Sequence, residues 1–153
     1  MSRFRFRLQP VLDVRTRVVE ERQRELAVKT RDLADAELAL ADLNDARETQ
    51  RESLTRDHRS FDVDALRTTY AHLAYLDRAL DEQAVRVAAC RDEVERAQGR
   101  LLAASTDRKV LETLRSRRYE AFNLHAAALE QNEVDDQNAR RYGRAQNDGR
   151  EGT

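Results

Sequence analysis

The chain has 153 residues and a formal net charge of −1, with 37% of its residues charged, no Trp, one Pro and four Gly. So few turn formers exclude a many-stranded or multilayered fold, where glycine supplies positive φ and proline fixes φ at reversals. The lone cysteine, Cys90, excludes an internal disulfide, and no run of about 20 apolar residues is present to cross a bilayer.

The start, MSRFRFR, is basic and leads into a charged segment instead of a cleavable apolar one, so a soluble cytoplasmic protein is expected. Phe4, Phe6 and Leu8 alternate with arginines in an extended pattern. Pro10 then suits a first helical turn, where its missing N–H costs nothing. From there Leu12, Val19, Leu26, Leu33, Leu40 and, after Arg47, Leu54 recur at sevens, on one face of a coiled-coil helix predicted over about 10–57. Its companion row is weak: stepping three residues on brings apolar side chains, Ala36 and Leu43, only in the later half. Charge is blocky along this helix. Residues 3–31 hold nine Lys/Arg against four Asp/Glu, and residues 32–52 hold seven acids against Arg47 and Arg51. Blocks this unequal orient encounters with charged partners.

A turn is expected at about 58–62, with Ser60, Asp62 or Asp64 as the cap of a second helix. That helix is predicted over about 63–141. Leu66, Leu73, Leu80, Val87, Val94 and Leu101 form one row, and Leu76, Gln83, Cys90, Ala97, Ala104 and Leu111 form its companion. Two rows of equal period imply an all-α fold: a long antiparallel two-helix coiled-coil hairpin. Gly99 marks a weak point in the second helix.

Mirroring the chain about residue 60 sets Leu12 opposite about residue 108. The segment 111–141 is then expected to overhang without an intrachain partner, unless MSRFRFRL folds back over a few of its residues. This open end is basic, with Arg108, Lys109, Arg115, Arg117 and Arg118 against Glu112 alone in residues 108–118. Glu130, Glu133, Asp135 and Asp136 follow, and residues 143–153 read as a polar, glycine-containing, disordered tail.

Nothing here has the layout of an active site. His58, His72 and His125 lack ligand spacing, so no metal and no cofactor are expected. Acid–base catalysis needs carboxylates held in a low-dielectric concavity, which two helices do not provide. A near-zero net charge with an acidic block argues against nucleic acid.

The residues FRFRLQPVLDVR at 4–15 resemble the opening of the flagellar type III export FliJ family, F-x-F-R-L-x-x-L-L-x-x-R. Phe4, Phe6, Arg7, Leu8, Leu12 and Arg15 match, and Val11 stands for a leucine. YAHLAYLDRAL at 70–80 is similar to a second family stretch through Leu76, Asp77 and Leu80, with His72 where the family has phenylalanine and Thr69 where it has tyrosine. RKVLETLRSRRYEAF resembles the family's basic segment. The stretch at 130–141 matches its ending through Glu130, Asp135, Asp136, Ala139 and Arg141, with Asn132 in place of a lysine.

The resemblance implies a non-enzymatic cytoplasmic component, peripheral at the inner face of the cell membrane. It is expected to bind the hexameric export ATPase like the central stalk of a rotary ATPase, to touch the cytoplasmic domain of the export gate membrane protein, and to handle export chaperones. Carried over by position, ATPase contact falls on Arg15, Arg108, Lys109, Arg115, Arg117, Arg118 and Phe122. Gate contact falls on Asn44, Arg47, Arg51, Tyr70, Leu73, Leu76 and Leu80. The alternatives are a related injectisome stalk and a generic coiled-coil scaffold or adaptor.

Overall fold

A computed structural model describes residues 3–56 and 62–148, with side chains as far as Tyr142. They form two helices, α1 (Gln9–Arg56) and α2 (Val63–Asp148). α1 opens with the Leu12 N–H donating to the Leu8 carbonyl at 3.0 Å, and Pro10 lies in the first turn, as expected. Of the candidate caps for α2, Asp62 does the work. Its Oδ1 accepts the Asp64 N–H at 3.1 Å, which satisfies one of the helix's orphan donors, while its carbonyl accepts the Leu66 N–H at 3.0 Å as the first intrahelical bond. Ser60 and most of the expected turn lie outside the described residues.

Residues 16–106 make one compact unit. Within it the helices run antiparallel, because partners on α2 fall in number as those on α1 rise. Arg100 Nη2 donates to Glu25 Oε1 at 2.6 Å, Lys29 Nζ lies 3.6 Å from Glu93, Arg91 bonds Glu37 at 2.8 Å, and Arg47 sits 3.4 Å from Asp77. Both apolar rows meet here. Val19, Ala36, Leu76, Leu80, Val87, Ala97 and Ala104 are buried, with Ala97 fully enclosed, and the small alanines let the backbones approach closely.

The early half of α1 has a companion row after all, made of charged side chains. Arg22 and Lys29 are half-buried at the positions that Ala36 and Leu43 occupy later. Their aliphatic stems cover the seam while the charged ends reach Glu25 and Glu93. Hydrogen bonds from Arg22 and Arg100 hold the Glu25 carboxyl below its ordinary pKa, and a hydrogen bond from Arg96, together with the charges of Arg96 and Lys29, does the same for Glu93. α2 continues through Gly99, where an added Cβ would meet nothing within 4 Å.

The second unit joins residues 1–15 to 107–153. Leu12 is buried there and Arg15 pairs with Asp107 at 3.2 Å. The expected overhang from residue 111 is not found over its first part, since Leu111, Leu114 and Phe122 are half-buried. The N-terminal residues fold back over this stretch, with the Phe4 ring against Tyr119 and Phe122 and with Phe4, Phe6 and Leu8 lining a groove beside Leu114 and Phe122. From Asn123 to Tyr142 every residue is exposed. α2 runs on through Gly143 to Asp148, into the region read as a tail. One interior glycine costs only about 1 kcal/mol, less than is needed to stop a helix among good formers. Residues 149–153 lie outside the described residues.

Candidate partner-binding surface

In the terminal unit, the alternation of Phe and Arg in residues 3–8 sorts by chemistry. Phe4 and Phe6 are half-buried and Arg3, Arg5 and Arg7 are exposed. The Phe4 ring meets Tyr119 edge to face, with centroids 5.2 Å apart at 72°, and Phe122 at 5.6 Å and 54°. Such pairs contribute roughly 0.5–1.5 kcal/mol beyond burial alone, which ties the segment to α2. Shallow grooves flank this anchor. One is lined by Phe4, Arg5, Phe6, Arg7, Arg118 and Phe122, and another by the same segment with Arg115. An aromatic floor is thus rimmed by five guanidinium groups, those of Arg3, Arg5, Arg7, Arg115 and Arg118, each a fork of donors suited to carboxylates.

The positions proposed for ATPase contact divide between this surface and the packing. Arg115, Arg117 and Arg118 are exposed and form no ion pair among the described residues, and Lys109 is exposed as well. Arg15 is engaged by Asp107. Arg108 is half-buried, its Nε 3.3 Å from Glu112 but not aligned for a hydrogen bond. Phe122 is the half-buried platform under Phe4. Arg5 and Arg7 also belong to this surface, and Tyr119 is a further aromatic of it. The alternation at the N-terminus signals the two arginines without showing which residues of α2 the segment packs against.

The positions assigned to gate contact lie in the other unit. Asn44, Arg51 and Tyr70 are exposed, with Asn44 Nδ2 donating to the Leu40 carbonyl at 3.1 Å. Arg47 is held by Asp77, and Leu73 is half-buried. Leu76 and Leu80, at 4% and 7% exposure, are spent on the seam. The exposed Tyr75 stacks on His72 at 6.2 Å and 16°, an aromatic pair that the rows did not show.

No group of His, Cys, Asp or Glu among the described residues could hold a metal ion, and no helix among them is long and apolar enough to cross a membrane. Residues 4–147 match the sequence profile of the family described as flagellar FliJ protein. The chain belongs to the FliJ family. The match takes in both helices and the Phe–Arg segment, and membership places the chain among flagellar export components. No curated protein and no solved structure gives a significant match to this FliJ family chain.

Proposed function

We propose that this FliJ family chain is a non-enzymatic, cytoplasmic export component that binds the hexameric export ATPase in the manner of a central stalk and couples it to the export gate. The observation that carries the reading is the basic, aromatic surface of the terminal unit: Arg5, Arg7, Arg115 and Arg118 around the Phe4 anchor, with Arg117 exposed on another face of α2, followed by an α2 segment exposed from Asn123 to Tyr142. This segment is the part of the expected overhang available to a ring, and its N-terminal neighbours supply the charge that would draw an acidic lining. ATP hydrolysis belongs to the partner, and the chain acts by biasing its conformations.

On this reading Asn44, Arg51 and Tyr70, extended by Tyr75, form the surface offered to the cytoplasmic domain of the gate membrane protein. Export chaperones are a further class of partner, and the location is peripheral at the inner face of the cell membrane.

The test is a pull-down against the export ATPase, with the ATPase rate followed as the chain is added. Reversing Arg115, Arg117 and Arg118 to Glu is expected to abolish binding and stimulation while leaving helicity unchanged, because all three side chains are exposed. Undiminished binding by the triple variant would remove this surface from the interface.

A further inference from the structure

Two positive surfaces meet in the terminal unit. Arg3, Arg5 and Arg7 belong to the N-terminal segment and Arg115 and Arg118 to α2, and all five line the grooves that flank Phe4. None of them forms an ion pair among the described residues. The two carboxylates that share these grooves are engaged elsewhere: Asp13 Oδ1 accepts a hydrogen bond from Gln9 Nε2 at 2.9 Å, and Glu112 lies 3.3 Å from Arg108. Like charges brought together repel, so the charge of this unit acts to lift the segment off the helix.

Against that repulsion stands apolar contact. No hydrogen bond or ion pair joins residues 3–8 to α2 among the described residues; the Phe4 ring rests on Tyr119 and Phe122, and Phe6 and Leu8 line a groove beside Leu114. An anion that bridges the two sets of guanidinium groups reverses the balance. It turns repulsion into attraction and gains most when the segment lies closed, so its binding and closure favour each other.

Guanidinium forks suit carboxylates and phosphates alike. Two features favour a short acidic stretch of protein. The floor between the arginines is apolar, through Phe4, Phe6, Leu114 and Phe122, and takes an aliphatic side chain set among carboxylates. The four acids Glu130, Glu133, Asp135 and Asp136 begin about 12 Å beyond Phe122, at 1.5 Å per residue, and repel a phosphate backbone that runs on along the helix.

We infer that residues 3–8 are the arm of an anion-operated clamp: an acidic, partly apolar protein segment seated between Arg3, Arg5 and Arg7 on one side and Arg115 and Arg118 on the other draws the arm onto α2, and its departure loosens it. The clamp rests on the proposed use of this surface by an acidic partner, and adds what binding does to the chain.

The chain holds no Trp, so Phe122→Trp places a single reporter under Phe4. Its quenching by neutral acrylamide reads whether the arm covers it, and Phe4→Ala in the same background supplies the uncovered reference. In the full chain at low salt, a synthetic Glu-rich peptide with a central Leu is expected to lower the quenching, and sodium chloride alone should lower it too, by screening the repulsion. The peptide should bind the Phe4→Ala chain about tenfold more weakly than its parent, the reciprocal of its effect on closure. Changing Arg115 and Arg118 together to Gln should close the arm without peptide and abolish the response to it. Bound peptide that leaves quenching unchanged, equal affinity for parent and Phe4→Ala chains, or a double Gln variant that still responds would each overturn the clamp, and tighter binding of a DNA duplex than of the peptide would overturn its assignment to acidic protein. Unchanged helicity in every variant separates release of the arm from loss of fold. Closure by peptide in a chain that does not bind the ATPase supports the clamp and removes only the ring as its partner; ATPase binding by a chain whose arm ignores the peptide overturns the clamp alone.

Discussion

Leu80 and Leu124 are the same residue type on the same helix, yet one is 7% exposed and the other 74%. Residues 16–106 bury their apolar row against α1, whereas from Asn123 to Tyr142 α2 has no covered residue at all. Intrinsic propensity is similar in both regions, since each is rich in Ala, Leu, Glu and Arg. What differs is the facing surface. In the first region stability comes from packing of an apolar stripe, and in the second helix is maintained by propensity, local pairs such as Gln131–Asp135 and continuity with the turns before it.

The sharpest way to break this contrast is truncation on either side of it. Leu80→Ala is expected to destabilise the chain by roughly 2–3 kcal/mol, while Leu129→Ala, at 51% exposure, should stay within about 0.5 kcal/mol. Thermal unfolding followed by helicity measures both, and equal effects would erase the distinction. Phe4→Ala comes next, at about 1 kcal/mol through loss of its two ring contacts. Its local signature is faster amide hydrogen exchange near Leu12 with no change near Val87; a uniform change along the chain would mean that the segment is not a separate anchor.

The smallest effect concerns Glu25. Its pKa is lowered in the folded chain from an ordinary value of 4.5, chiefly by Arg22 and then Arg100. The stabilisation is therefore present above that ordinary value and is lost as pH falls through the lowered one. Glu25→Gln should flatten the acid limb of stability against pH and leave the neutral-to-alkaline limb unaltered. An unaltered acid limb would show that these ion pairs are solvated in solution.

How much of this was legible in the sequence follows from which signals are periodic. The rows through Leu12 and Leu80 announce themselves at sevens, and Pro10 and Asp62 mark starts because capping chemistry is local. Arg22 and Lys29 did not read as seam residues, because a long cationic side chain buries its stem and not its end, and a hydropathy pattern sees only the end. The anchoring of Phe4 was half visible. Its alternation with arginine marks a two-faced segment, but its contact with Tyr119 depends on where along α2 the segment lies. The ion pairs across the seam need register as well as period. Leu76 and Leu80 illustrate the converse: a family position marks a residue without saying whether it faces a partner or the core.

Gln83 deserves a last consequence. Its Nε2 donates to the Ala36 carbonyl at 2.8 Å, a side chain of α2 bonded to the backbone of α1 within residues 16–106. A purely aliphatic zipper can slip by a turn, about 5.4 Å, and refill its holes. Here such a slip would break this half-buried hydrogen bond between the helices. The two strands of this zipper are thus pinned against shear, so a push delivered along one of them is passed to the other as displacement, not dissipated as sliding.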